Sequence, residues 1–523
     1  MNRIDSNDQS SHAPNLSSQR LVIAVTVGLF AFVMYLWQLT VPQFIAFYDS
    51  GVYLAASLHF VSGVLPYKDF TFVNPPGILL LMSPIALFSR VFGSHDGFIL
   101  ARVITSFVTA VNVSLLAWLV RYRGRIAMAI AGVGLAVLPV AFFVSSDLKL
   151  DPYCICFILI GAVVIFSKDQ GSGRISKRTF AIGGLFFGIA ALIKLWAFFP
   201  FLAVVIVFVP RCKGRVLAFA SGAACGFIVP SLPFFLASPR GFVSQVFTAQ
   251  LFQKMNPAVS PGILWRLVDM TGFSDTSIAP TGSELVITLF VLICLVIVAY
   301  WRRLNRESVD IFLLIAALIT AFALLAAPVS AEYYGYFAAP FLVGVFAISL
   351  ARLGGPVRRI ADRITVSSTI RSFATWSTAV AGIALWFALT LYVTTFYTNY
   401  AWFNGVNPPY LSSINKTIPA GSCVVYDYAI YGIYSNRLQT SVPNCPSVVD
   451  AYGMWQTFGN HLASAPPEFV SEWKSYFERA QYVVLNRPNT DYVPWNDSLT
   501  SWFANHYHLI AHGTYVYIYQ NES

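Results

Sequence analysis

The feature that most limits this chain is a series of apolar blocks, separated by short segments that hold most of the charge. A hydrocarbon layer of roughly 30 Å takes about 20 apolar residues of helix to cross. Within it only helices or closed barrels satisfy every backbone polar group. Such blocks fall near residues 21–41, 97–120, 126–144, 152–167, 179–194, 195–210, 216–236, 284–300, 309–328, 337–351 and 376–398. With 57% hydrophobic and only 11% charged residues over 523 positions, the chain is too apolar for a soluble core of its size. The fold class read from this pattern is an all-α polytopic membrane protein of about eleven spans.

Charge placement supplies an orientation. The net charge of +10 is spread in clusters between apolar blocks: Arg121/Arg123/Arg125, Lys168/Arg174/Lys177/Arg178, Arg211/Lys213/Arg215, Arg302/Arg303/Arg306 and Arg352/Arg358/Arg359/Arg363/Arg371. These fall on alternate loops, so putting all of them in the cytoplasm satisfies the positive-inside rule. The N-terminus is then inside and the C-terminal region outside. Treating 179–194 and 195–210, which join at Lys194 and Trp196, as one span would break the alternation. No basic, aromatic-interleaved face is present, which argues against nucleic acid as a partner.

Composition divides the chain into three parts. Residues 1–20 are polar and Ser/Asn-rich, and read as a disordered cytoplasmic tail. Residues 21–399 carry the spans. From 400 to 523 hydropathy drops, and short β-rich runs at 422–435, 481–486 and 507–520 flank a helical stretch at 467–480; this is a small external α/β domain. Of the seven cysteines only Cys423 and Cys445 fall in that domain. A pair in an oxidising compartment points to a disulfide.

The chemistry concentrates at the outer ends of the spans. Residues 47–83 follow the first span and hold Asp49, Lys68, Asp69 and a rigid Asn74-Pro75-Pro76-Gly77 turn; Gly77–Phe92 reads as a helix in or near the interface. Asp147, Lys149 and Asp151 lie in a later outer loop, Lys194 at the join of two spans, and Glu332, Tyr333 and Tyr334 in another outer turn. A second long outer loop, 237–283, carries Arg266, and the spacing of Phe242, Phe247, Leu251 and Phe252 suggests an amphipathic helix. Ionisable residues at membrane depth are costly and point to function. Plain structural roles stand beside these: Asp49 or Asp151 as helix caps, Asp69 pairing with Lys68 or capping a turn, Lys194 reaching for headgroups, and the tyrosines as an interfacial belt.

These residues also carry a resemblance. Asp49, then Gly63-Val64-Leu65-Pro66-Tyr67-Lys68-Asp69 and Asn74-Pro75-Pro76-Gly77, resembles the first outer loop of the GT-C integral-membrane glycosyltransferases. The branch is that of protein O-mannosyltransferases and the bacterial lipid A aminoarabinose and galacturonic acid transferases. Ser145-Ser146-Asp147 to Pro152, Ile193-Lys194 to Pro200, and Glu332-Tyr333-Tyr334 to Pro340 are similar to further outer segments of that family, in order, so that the likeness spans roughly residues 20–400.

The resemblance implies a GT-C fold and transfer of a sugar from a polyprenyl-phosphate donor to an envelope acceptor (glycolipid, polysaccharide or protein) on the outer face of a bacterial inner membrane. Asp49 would be the general base, with Asp147 as a second catalytic carboxylate. Lys68, Asp69, Lys194, Arg266, Glu332, Tyr333 and Tyr334 would bind substrate, one of Lys194, Lys68 or Arg266 facing the leaving phosphate. Many relatives carry two adjacent acids after the first span, whereas here Ser50 follows Asp49. A divalent ion (Mg or Mn) would therefore need Asp147 or Asp151 beside Asp49. Two other classes stay open: a lipid or sugar transporter or flippase, and a membrane scaffold whose outer domain binds a partner.

Overall fold

The computed structural model describes residues 16–40, 48–166, 176–210, 212–251, 307–363, 408–458, 465–513 and 516–522, together with positions 263, 266, 267, 270, 293 and 296. Nine of the expected spans fall on described helices. The segment 284–300 apart from positions 293 and 296, the segment 376–398, the tail up to residue 15 and the start of the C-terminal region at 400–407 lie outside the described residues.

The first helix, α1, runs Leu16–Thr40, so it begins a turn earlier than the apolar block alone implies. It is followed by α2 (Tyr48–Val61), α3 (Gly77–Phe92), α4 (Ser94–Leu119), α5 (Arg125–Ala136), α6 (Pro139–Ser145), α7 (Leu150–Phe166), α8 (Lys177–Ile193), α9 (Phe198–Phe208) and α10 (Lys213–Ala237). Among the described residues four helices are long and apolar enough to cross a membrane by themselves: Ser17–Leu39, Ser94–Leu119, Lys213–Ala237 and Ser308–Ala326. The block at 126–144 is two helices, α5 and α6, meeting at 59°. The break has a local cause: Pro139 takes the first position of α6, where its missing N–H costs nothing. The blocks at 152–167, 195–210 and 337–351 appear as shorter apolar helices or helix segments.

Helices α8 and α10 are held together by glycines. A Cβ on Gly184 or Gly188 would sit 2.0 or 2.1 Å from the carbonyls of Phe219 and Ala223, and one on Gly222 or Gly226 would meet α8 backbone in the same way. Small residues four apart on both helices let the backbones touch, a packing mode suited to lipid, where apolar burial alone drives nothing together.

The C-terminal region forms a mixed four-stranded sheet in the order β1-β2-β4-β3. Strand β1 (Val424–Tyr426) is parallel to β2 (Tyr482–Leu485); β4 (Tyr517–Asn521) is antiparallel to β2 and to β3 (Tyr507–His512). Its core gathers Phe469, Trp473, Phe477, Val483, Leu485 and Phe503. A disulfide joins Cys423 to Cys445.

This domain sits directly on α2. Tyr426, Ile430 and Ile433 belong to the same continuous apolar core as Val52, Leu54 and Ala55. A Cβ on Gly51 would lie 2.6 Å from the Ile430 backbone nitrogen, so only glycine permits that approach. Helix α2 is accordingly buried from Ser50 to Leu58 rather than lying at a surface. The Ala429–Tyr434 helix also reaches α4, where the Ser94 hydroxyl donates to the Ile433 carbonyl at 2.8 Å. Arg121, Arg123 and Arg125 lie just past the other end of α4. The disulfide-bearing domain and this basic cluster therefore stand at opposite ends of one helix about 39 Å long.

Candidate active site

Five charged side chains converge where α2 begins, between the loop leading into α7 and the turn at Glu332–Tyr334. Asp49 sits in the first turn of α2. Its Oδ2 accepts a hydrogen bond of 2.6 Å from the Tyr333 hydroxyl and lies 3.6 Å from the Lys149 ammonium. The same ammonium is 3.4 Å from Asp147 Oδ2 and 4.5 Å from the centre of the Tyr333 ring. Asp147 is further fixed by the Ser50 hydroxyl at 2.5 Å and by the backbone N–H of Leu148 at 2.8 Å. Ser50, the residue that stands where many GT-C proteins have a second acid, thus serves to hold Asp147.

A second ion pair adjoins the first. Lys194 bridges both carboxylate oxygens of Asp151, at 2.8 and 3.1 Å. Its ammonium lies over the rings of Tyr334 (4.4 Å) and Trp196 (4.5 Å). Lys194 is in extended backbone between the end of α8 and a short 3-10 turn at Leu195–Ala197, which is what turns its side chain toward α7. Aromatic faces carry negative potential and suit a partly desolvated cation.

Exposure separates the roles within the cluster. The Lys149 side chain is fully buried and that of Asp147 nearly so, while Asp49 keeps 32% of its side chain exposed. Asp49 is the acid with room for an incoming molecule. Asp151, read from sequence as a helix cap, is buried and spent on Lys194.

Other expected site residues lie elsewhere. Lys68 and Asp69 are exposed. Asp69 closes its own turn, its carboxylate accepting from the Leu65 N–H at 2.8 Å while its N–H donates to the Leu65 carbonyl at 2.9 Å. This local bonding explains the acid without a substrate. Arg266 donates to the Leu325 carbonyl at 3.2 Å and to that of Ala327, at the C-terminal end of the Ser308–Ala326 helix, where unpaired carbonyls attract a cation. Glu332 stands at the start of the turn that carries Tyr333; its side chain lies outside the described residues.

The donor set does not fit a divalent ion shared by Asp49 and Asp147. The Lys149 ammonium already lies within 3.6 Å of both carboxylates, and the Ser50 hydroxyl and the Leu148 N–H engage the two oxygens of Asp147. Among the described residues no group of three His, Cys, Asp or Glu side chains is arranged to hold a metal.

The C-terminal domain contributes residues that the motifs alone do not reveal. Tyr48, next to Asp49, donates to Asp450 Oδ1 at 3.0 Å and accepts from the Tyr452 N–H at 2.7 Å. Asp450 also accepts from the N–H groups of Gly453 (2.8 Å) and Val73 (3.5 Å). The stretch Phe72–Val73 is held on its other side by Gln245, which accepts from the Phe72 N–H at 2.9 Å, and by Gln250, which donates to the Val73 carbonyl at 2.6 Å. Both glutamines lie on the helical segment Pro239–Leu251, which the spacing of Phe242, Phe247 and Leu251 had suggested; a π-helical turn at Ser244–Thr248 interrupts it.

Comparison with known proteins agrees with this architecture. The family model for glycosyltransferase family 87 matches residues 72–328. The structure of ArnT from Cupriavidus metallidurans bound to undecaprenyl phosphate aligns with a TM-score of 0.58 at 14% identity, over 97% of this chain and 98% of that one. The Archaeoglobus fulgidus oligosaccharyltransferase tethered with an acceptor peptide containing the NVT sequon aligns with a TM-score of 0.52 at 13% identity, over 96% of this chain and 74% of that one. Among curated proteins no sequence matches. The family match and the shared fold together support a membrane glycosyltransferase of the GT-C superfamily.

Proposed function

We propose that the protein transfers a sugar from a polyprenyl-phosphate-linked donor to a hydroxyl of an envelope acceptor, at the outer face of a bacterial inner membrane, with Asp49 as general base. The observation that carries this reading is the asymmetry of the cluster. Asp49 alone of the three acids is substantially open, and Lys149 and Tyr333 fix its carboxylate from behind. In the step, the Asp49 carboxylate takes the proton of the acceptor O–H as the oxygen attacks the anomeric carbon. The bond from that carbon to the phosphate oxygen breaks, and the polyprenyl phosphate leaves with the electron pair. A single displacement of this kind inverts the anomeric centre. Removing a positioned base costs about 10²–10⁴ in rate.

Lys194 is the cation best placed to meet the charge that grows on the leaving phosphate. An ammonium has three donors, and Asp151 engages only part of them. Asp147 acts through Lys149 and Ser50, as a positioning residue. Tyr333 and Tyr334 line the space between the two ammonium groups. The bound undecaprenyl phosphate of ArnT is consistent with a donor of this class. The orientation, basic loops inside and residues 400–523 outside as a separate domain, is supported by the separation along α4 of the basic cluster from the disulfide.

The test is mass spectrometry of envelope glycolipids and glycans from cells carrying wild type, a deletion and Asp49→Asn at matched protein levels. Loss of one defined sugar in both mutants is expected. Loss in the deletion alone would place the base elsewhere, and no change in either would reject transfer.

A further inference from the structure

Next to the charged cluster, around Tyr48, stands a group of tyrosines from the C-terminal domain that the transfer step above does not use. The Tyr48 ring lies 5.1 Å from that of Tyr428 and 4.9 Å from that of Tyr492. Tyr428 and Tyr492 are 5.2 Å apart with their hydroxyls at 3.4 Å, and Tyr452 is 5.7 Å from Tyr492. All four rings are partly accessible rather than sealed in a core. Tyr48 immediately precedes Asp49, so the group is contiguous with the catalytic carboxylate. Burial raises the Tyr428 and Tyr492 hydroxyls above their ordinary range, and the Asp49 charge adds a smaller push in the same direction.

Charge is unevenly spread around Asp49. Lys149 and Lys194 both lie toward Tyr333, Tyr334 and Trp196. Toward the C-terminal tyrosines the nearby charges are carboxylates: Asp49 itself, Asp450 bonded to Tyr48, and Asp427, whose carboxylate accepts from the Asn486 N–H at 3.0 Å. Arg487 acts on Tyr428 from further out and is paired with Asp491 at an exposed position. Of these, Asp427 and Asp450 are buried and Asp49 is the accessible one, so an anionic ligand would enter against Asp49, with Arg487 already paired to Asp491. A pyranose ring offers apolar C–H faces to aromatic rings and hydroxyls to carboxylates.

We infer that Tyr428, Tyr452 and Tyr492, gathered around Tyr48, form the acceptor subsite and receive an uncharged carbohydrate, so that the enzyme extends a neutral glycan. The cationic side is left to the donor phosphate. This rests on the reading of Asp49 as the base, and names the acceptor class that goes with it.

The experiment is saturation-transfer NMR on the purified full chain in detergent. The probes are the neutral trisaccharides maltotriose, mannotriose and cellotriose, with tri-galacturonate and a Ser-containing hexapeptide as the anionic and peptide alternatives. At least one neutral trisaccharide should receive saturation, and both alternatives should not. Tyr492→Ala and Tyr428→Ala should weaken that binding about fivefold or more, and Tyr492→Phe should retain it, because the ring face makes the contact. Tyr452→Ala guards against misfolding: it leaves the Tyr452 N–H that holds Tyr48 in place, and it should show the same loss at an unchanged unfolding temperature. Stabilisation of every variant by undecaprenyl phosphate should equal that of wild type. Preferential binding of tri-galacturonate or of the peptide, no binding of any neutral trisaccharide, or trisaccharide binding indifferent to the alanine variants would overturn the inference. Each of these can occur whether or not Asp49→Asn abolishes transfer in cells, so failure here is distinguishable from failure of the base assignment.

Discussion

Tyr48 and Asp450, 402 positions apart in the chain, share a hydrogen bond of 3.0 Å. Through it the C-terminal domain holds the residue immediately before Asp49, and Asp450 also reaches the Val73 backbone in the first outer loop. The C-terminal domain therefore helps to fix the position of Asp49, the proposed base.

That clamp depends on pH. Burial raises Asp450 to about 6 and Asp427 to about 7 from an ordinary value of 3.8, against hydrogen bonds that favour the ionised forms. Between about 4 and 7 the native chain holds more protons than the unfolded one, so stability falls as pH rises through that window and is fully regained below it. Asp450→Asn keeps an oxygen for Tyr48 and Gly453 and removes the cost of ionisation. It should unfold at a higher temperature than wild type at pH 7.5, by roughly 2–3 kcal/mol of stability, with the difference gone by pH 4. Thermal unfolding of both proteins across that range is the check.

Asp49→Asn should lower transfer about 10²–10⁴-fold with little change in unfolding temperature, since the side chain is partly exposed and an amide oxygen still accepts from Tyr333. Tyr333→Phe removes that one charge-assisted hydrogen bond and should cost about 10- to 100-fold in rate, consistent with roughly 1.5–3 kcal/mol for such a bond. Donor-saturated turnover of the purified variants measures both.

Much of this site was legible because charge is conspicuous in an apolar chain. Asp49, Asp147, Lys194, Tyr333 and Tyr334 stand at the ends of apolar blocks, where a polar side chain needs a reason, and the structure gathers them. Lys68 and Asp69 were equally conspicuous, but the Asp69–Leu65 bonds are a local turn that hydropathy cannot tell from a binding loop. Arg266 looked like a free cation and bonds carbonyls at a helix end. Lys149 was visible as one charge among several; its central place between Asp49 and Asp147 depends on α2 meeting the loop before α7, which no local pattern encodes. The same holds for Asp450, whose partners Tyr48 and Val73 lie far away in sequence. The helices followed from apolar length. The break between α5 and α6 and the burial of α2 under the outer domain needed tertiary contacts that periodicity does not carry.

Lys149→Met keeps the volume of the side chain and removes its charge. Asp49 and Asp147 would then face each other with no cation between them, and the carboxylate of Asp49 would lose one of the groups that fix it. Activity should fall at least about tenfold. Because an ammonium fills the position between the carboxylates, wild-type transfer should be unchanged by EDTA, and added magnesium or manganese should not restore the variant. A wild-type rate that collapses in EDTA and returns with either ion would show that a metal displaces Lys149 during turnover.

Gly51→Ala tests the contact between the two parts of the protein most directly. The added methyl would lie 2.6 Å from the Ile430 nitrogen and 2.8 and 2.9 Å from its Cβ and Cα, and backbone cannot yield as a flexible side chain would. Either α2 or the Ala429–Tyr434 helix must move, at a cost of about 1–3 kcal/mol. Because Gly51 lies two residues after Asp49, the shift would also displace the carboxylate from Tyr333. Limited proteolysis should therefore release the C-terminal domain faster, and transfer should drop even where the chain remains folded. Cleavage and turnover both matching wild type would mean that the domain does not rest on α2 in the working enzyme.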